Sequence, residues 1–137
     1  MPAFNKINNF KEQIGLKLID LNTDTLKVYL TNTAPVATDT IFGTPAEIAA
    51  GGGYTAGGAD ITGVWSENPA GTGELTGTDV VWTGSGGGFG PFQYVVLYDD
   101  TSAAKHLIGW WDYGSPVTII AGETFTVDFA ATILTIV

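Results

Sequence analysis

The residue best suited to catalysis by type is His106, the single histidine of a chain that contains no cysteine. A Ser–His–Asp hydrolase site would need the fold to bring a serine hydroxyl and a carboxylate to this imidazole. A zinc site would need several histidine or cysteine ligands, and the composition offers too few of them. We therefore interpret His106 as a surface residue at a strand edge, and we predict that the protein is not an enzyme.

Acidic side chains are the second kind of group that could do chemistry, because glycosidases use two carboxyl groups at a fixed separation. The candidates are Glu74, Asp99, Asp100, Asp112 and Asp128. Asp99 and Asp100 lie where a turn is expected, and turns favour Asp because its carboxylate accepts hydrogen bonds from nearby amides. Calcium could bind there, since it takes several oxygen ligands, but no EF-hand spacing is present. We predict no metal site and no cofactor.

Two glycine-rich runs resemble phosphate-binding loops only superficially. The run 51–56 fits G-x-G-x-x-A, but that motif binds a pyrophosphate only between a strand and a helix. Pro45 precedes this run, more glycine follows it, and no helix is predicted after it. The run 84–90 fits no phosphate motif. Both are predicted to be loops in which glycine permits positive φ or close approach of another chain.

Aromatic residues offer the main alternative function, a platform on which sugar rings would stack. Its members would be Trp65, Trp82, Trp110, Trp111, Tyr54 and Tyr113. Trp110 and Trp111 are consecutive, so on a strand they point to opposite faces and at most one of them is a core residue. Use in the core or in a protein interface is favoured, because Trp and Tyr are enriched in both.

The charge of the chain excludes one class of partner. The formal net charge is −9, with five lysines and no arginine. Four of the lysines lie within residues 1–31, which carry a net charge of +1, whereas residues 32–137 carry −10. A nucleic-acid-binding protein needs many cationic side chains to displace counterions from phosphates, so we predict no nucleic-acid binding.

No apolar stretch approaches the roughly 20 residues of a membrane span, so we predict no membrane partner. The segment 1–6 lacks the apolar run of a signal peptide, and we expect synthesis in a cytoplasm.

Residues 1–20 are predicted to form a short helix or an arm. Asn9 and Glu12 have the spacing of a capping box. Phe10, Ile14 and Leu18 then recur on one helical face, and Phe4 and Ile7 could extend that apolar stripe upstream. This lysine-bearing segment differs from the acidic remainder and could lie on a neighbouring subunit.

The rest of the chain has the pattern of strands. In the run 25–31, Leu26, Val28 and Leu30 alternate with polar or aromatic residues, which predicts a half-buried strand. Residues 32–60 are predicted to be a long ordered loop, of the kind that is functional or covered by something. Further strands are predicted at 61–65, 73–76, 79–83, 92–98, 105–113, 117–120, 124–129 and 133–137. This predicts a single all-β domain over 1–137, mainly an antiparallel β-sandwich that is immunoglobulin-like or jelly-roll-like.

Several strings in this order resemble a family of small virion structural proteins of tailed bacteriophages. They are DTLKVYLTNTAP at 24–35, AEIAAGGGYTAGG at 46–58, GPFQYVVLY at 90–98, LIGWWDYG at 107–114 and GETFTVDF at 122–129. The resemblance covers roughly residues 20–137 and brings no catalytic residue with it.

The resemblance implies a capsid decoration, or cement, protein: a homo-oligomer that binds the major capsid protein on the virion surface and stabilises the shell. A tail or fibre component, with carbohydrate or host-surface binding, is the alternative. We expect the partner interface to include the following residues: Phe4, Ile7, Phe10, Gly51, Gly52, Gly53, Tyr54, Trp110 and Trp111.

Overall fold

A computed structural model describes residues 2–129 and 131–136. These contain ten strands and one short helix. In chain order the elements are β1 (Phe4–Lys6), α1 (Phe10–Gly15), β2 (Leu26–Thr31), β3 (Ala59–Asp60), β4 (Val64–Glu67), β5 (Gly73–Thr76), β6 (Val80–Thr83), β7 (Phe89–Asp99), β8 (Leu107–Ile119), β9 (Thr124–Val127) and β10 (Leu134–Ile136).

The strands form three antiparallel sheets, as predicted for an all-β fold. The largest has the order β1-β8-β7-β2-β3, the second β10-β5-β4, and the third is the pair β6-β9. Buried side chains from all three sheets belong to one apolar cluster. The result is a sandwich-like arrangement in which the five-stranded sheet is covered by the two smaller ones.

Aromatic rings fill the space between the five-stranded sheet and the β6-β9 pair. Trp111 is 1% exposed and its ring lies 5.6 Å from that of Phe129. Phe125 makes edge contacts with Phe92 at 4.7 Å and with Tyr113 at 5.2 Å. Such edge and tilted pairs stabilise the folded state beyond the hydrophobic free energy gained by burying the rings.

The strand β2 was predicted to be half-buried, and this is wrong. Tyr29 and Thr31, on the face predicted to be exposed, are as buried as Val28 and Leu30. The reason lies in the loop 32–58, which packs over that face. The hydroxyl of Tyr29 donates to the carbonyl of Pro45 at 2.8 Å, and that of Thr31 donates to the carbonyl of Ala46 at 2.6 Å.

The N-terminal segment differs from its prediction at two points. Phe4 and Ile7 do not extend the helix, because residues 4–6 form β1 and pair with β8. The capping box is also absent: Asn9 has helical φ and ψ, and its side chain makes no bond to a helix amide. Instead the side-chain oxygen Oδ1 of Asn9 accepts a hydrogen bond from the side-chain amide of Gln13 at 3.1 Å.

The predicted strands 105–113 and 117–120 are joined in the single strand β8. The residues between them, 114–116, contain Gly114 and Pro116, which are typical of a turn. In the structure these residues form a bulge, since the pairing with β7 jumps from Tyr94–Asp112 to Phe92–Val117. A bulge accommodates extra residues on one strand without ending the pairing.

Candidate functional site

An apolar groove lies between α1, β10 and β4. Its first hollow, of about 510 Å³, is lined by Phe10 and Ile14 of the helix, Thr135 and Ile136 of β10, and two lysines. The adjoining hollow, of about 400 Å³, shares Ile14 and Ile136 with it. The second hollow is completed by Lys17, Ile19, Asp20, Leu21, Asn22 and Trp65. The shared residues make the two hollows one continuous surface feature, which we call the lysine groove.

Three exposed lysines border this groove: Lys6 and Lys11 at the first hollow, and Lys17 at the second. Within residues 2–129 and 131–136, none of the three has an acidic group within ion-pair distance. The other two lysines of the chain, Lys27 and Lys105, both bind Asp100, at 3.3 and 2.6 Å. The lysines whose charge remains uncompensated are therefore the ones beside the groove.

Among the described residues that line the groove, the one carboxylate is that of Asp20, and it is hydrogen-bonded within its own turn. It accepts hydrogen bonds from the amides of Asn22 and Thr23 and from the hydroxyl of Thr23, at 2.9, 3.1 and 2.7 Å. The Thr23 hydroxyl and these amides lower the pKa of Asp20, so it is ionised at neutral pH. Three cations and one anion leave the groove positively charged on a protein that is strongly acidic elsewhere.

The N-terminal residues predicted for the interface, Phe4, Ile7 and Phe10, are buried or half-buried, and one of them lines the groove. Phe10 is buried and lines the groove, whereas Ile7 is buried without lining it. Phe4 is half-buried, with its ring 5.0 Å from Trp111. These side chains mainly support the groove from within, and the exposed lysines are the groups available to a partner.

The run 51–58, also predicted for the interface, is packed against the chain itself. A side chain at Gly52 would meet the Gly88 carbonyl oxygen at 1.7 Å, and one at Gly53 would meet that of Thr83 at 2.0 Å. Both residues, like Gly51, have positive φ. The predicted backbone conformation is confirmed, but the close approach is to the same chain.

Tyr54 anchors this loop in the core. Its hydroxyl donates to the carboxylate of Glu47 at 2.5 Å and accepts from the amide of Leu30 at 3.1 Å. Burial, together with the bond to Glu47, raises the pKa of Tyr54 above its ordinary value. Because the ring is only 3% exposed, Tyr54 stabilises the loop and offers almost no surface.

The aromatic residues that might bind sugar are divided among different places. Three of them are buried: Tyr54, Trp82 and Trp111. Of the two consecutive tryptophans, only Trp111 is a core residue, in agreement with the prediction that at most one would be. Trp65 lies on β4 and Trp110 on β8, in different sheets, and each is half-buried. Among the described residues, no close ring contact involves Trp65 or Trp110.

His106 lies beside a third hollow of about 420 Å³, which Asp24 and Ser102 also line. The Ser102 hydroxyl is bound to the main chain: it donates to the carbonyl of Asp99 at 3.1 Å and accepts from the amide of His106 at 3.0 Å. The Nδ1 atom of His106 is buried and has no hydrogen-bond partner among the described residues. Serine and imidazole are near each other here without the bond that activates a serine nucleophile.

Asp99 is fully buried behind this hollow. One carboxylate oxygen accepts from the amides of Thr101 and Ser102 at 2.9 and 3.1 Å, as expected of Asp in a turn. The other oxygen has no hydrogen-bond donor among the described residues, and the Asp24 carboxyl group lies close to that of Asp99. Burial, reinforced by Asp24, raises the pKa of Asp99 to about 7. The Asp99 carboxyl group is therefore partly protonated near neutral pH, where an ordinary aspartate is ionised.

Two kinds of site are not found in the part of the chain that the structure describes. No group of three or more histidine, cysteine or acidic residues is placed to hold a metal ion. No helix there has the length and hydropathy needed to span a bilayer.

The chain matches no protein-family model, no curated protein and no solved structure. Among the described residues, the lysine groove is where apolar surface and lysines without an acidic partner lie together. Sequence reasoning identified the cationic N-terminal segment but not the groove. The groove could not be predicted because Ile136 of β10 also lines it. Ile136 is more than a hundred residues away in the chain, and only the tertiary fold brings it to the N-terminal segment.

Proposed function

We propose that this protein is a binding scaffold that works by contact with other proteins. The single observation that carries the proposal is the lysine groove, in which apolar surface lies together with three lysines that have no acidic partner among the described residues. Exposed apolar surface bordered by charge is typical of protein interaction sites, where the apolar part gives affinity and the charges select the partner.

We further propose that the proteins it contacts are those of the virion of a tailed bacteriophage. The protein would be a capsid decoration protein that binds the major capsid protein as a homo-oligomer on the shell surface. This part of the proposal is supported by the resemblance of the strings between residues 24 and 129. An all-β scaffold suits the role, because reinforcing a shell requires a stable fold and repeated contacts rather than catalysis.

Copy number tests the second part. Quantitative mass spectrometry of purified particles gives the amount of this chain relative to the major capsid protein. We expect hundreds of copies per particle. A handful of copies would instead indicate a tail or fibre component, and absence from purified particles would contradict a virion role altogether.

A further inference from the structure

The strand β10 has an open edge. In the described residues it pairs only with β5, and it is the last strand of its sheet. Thr135 and Ile136 both line the first hollow of the lysine groove. Consecutive residues of a strand point to opposite faces, so a hollow that touches both of them runs along the strand's edge.

An open edge presents unpaired main-chain amides and carbonyls, with which another extended chain can pair. An acyl chain cannot form such hydrogen bonds. Ile14 and Ile136 are partly exposed beside this edge, Ile136 by 39%, and they offer an apolar contact to alternate side chains of an added strand. Lys6, Lys11 and Lys17 supply the charge that would select an acidic strand.

We propose that the lysine groove binds an extended acidic segment of the partner protein, added as a strand beside β10. The apolar side chains of this segment contact Ile14 and Ile136, and its carboxylates pair with Lys6, Lys11 and Lys17. This inference rests on the proposed role as a protein-binding scaffold and specifies the chemistry of the partner at that site.

The test uses the full chain and a fluorescently labelled octapeptide of alternating valine and glutamate, with binding followed by fluorescence anisotropy. An octapeptide of alternating serine and glutamate removes the apolar contacts, and one of alternating valine and lysine reverses the charge. We expect the valine–glutamate peptide to bind at least tenfold more tightly than either control. Raising the salt from about 0.05 to 0.5 M should weaken its binding several-fold, because the ion pairs lie at the surface.

A charge-matched pair of variants locates the site. The first carries Lys6→Gln, Lys11→Gln and Lys17→Gln, and we expect it to lose at least tenfold in affinity. The second lowers the net charge by the same amount at exposed positions outside the groove, through Ser85→Glu, Ser115→Glu and Thr126→Glu. We expect the second variant to bind within about twofold of the unmodified chain if local ion pairs, rather than net charge, decide.

Three outcomes would overturn the inference: equal binding of all peptides, equal loss in the two variants, or displacement of the peptide by decanoate at similar concentration. The last would assign the groove to an anionic amphiphile. The proposed function can fail separately, because it is tested by copies of the chain in particles. If the lysine variant still occupies particles fully, the scaffold role stands and the groove is not its contact.

Discussion

At the scale of single residues, the most unusual environment is that of Asp99. A buried carboxyl group facing a second carboxyl group favours the protonated form, and the pKa of Asp99 rises from an ordinary 3.8 to about 7. Between these two values the folded protein binds more protons than the unfolded chain. Its contribution to the free energy of unfolding therefore falls as the pH rises from about 4 to 7.

The substitution Asp99→Asn should remove this dependence. An asparagine can still accept hydrogen bonds from the amides of Thr101 and Ser102, and its amide group can donate to Asp24 without a titrating proton. We expect the free energy of unfolding of the variant to rise, relative to that of the unmodified chain, by a few kcal/mol as the pH is raised from 4 to 8. Urea denaturation at several pH values measures this difference.

Asp112→Asn is the control for that measurement. Asp112 is exposed, and its hydrogen bonds from Gln93 and the amide of Gly114 lower its pKa rather than raise it. The substitution Asp112→Asn should therefore not raise the free energy of unfolding at high pH. Parallel stability profiles of the unmodified chain and Asp99→Asn would show that Asp99 does not titrate in this pH range.

At the scale of elements, the segment 32–60 covers part of β2 that would otherwise be exposed to solvent. The amide of Ile48 donates to the carbonyl of Leu30, and the hydroxyl of Tyr98 donates to the carbonyl of Gly57, at 3.0 and 2.6 Å. The loop thereby covers one edge and one face of β2. The segment predicted to be a long loop ends in the short strand β3 (Ala59–Asp60), and it packs against the sheet of its own chain.

Tyr54→Phe tests how strongly this loop depends on one anchor. The substitution leaves Glu47 and the amide of Leu30 without their shared partner in a mostly buried position, and we expect a loss of about 1–3 kcal/mol in the free energy of unfolding. Tyr94→Phe is the matched control, because the Tyr94 hydroxyl makes no hydrogen bond in the described residues. It should cost less than about 0.5 kcal/mol. Equal effects on the denaturation midpoint would contradict the anchoring role.

Most strands were predictable because their pattern is local. The run Thr124–Val127 alternates cleanly, and Phe92–Tyr98 is apolar and aromatic throughout, as expected of a central strand buried on both faces. β1 was not predicted, since Phe4, Asn5 and Lys6 carry no strand pattern. They become a strand only because β8, a hundred residues later, provides an edge to pair with.

The candidate site was predictable only in part, for the same reason. The cluster of lysines before residue 31 is visible in the sequence, and so is the apolar stripe of Phe10 and Ile14. That Lys27 pairs with Asp100, while Lys6, Lys11 and Lys17 have no acidic partner among the described residues, follows from tertiary contacts alone. The interface residues named from the sequence remain a prediction. Four of them are buried, namely Ile7, Phe10, Tyr54 and Trp111, and exposed neighbours would make most of the contact at those positions.

At the scale of the whole molecule, charge is separated between two regions. The bulk of the chain is acidic, and its uncompensated lysines lie around one apolar groove. Such separation orients a protein as it approaches a partner and raises the rate of correct encounter. It also opposes binding to any acidic surface through the rest of the molecule.

The most direct test of protein binding through the lysine groove is a cryo-EM map of a particle that carries this chain. We predict that the groove of every copy faces the major capsid protein. Carboxylates of the partner should then lie within about 4 Å of the amino groups of Lys6, Lys11 and Lys17. A map in which the chain is attached through another face, with the groove open to solvent, would contradict this account.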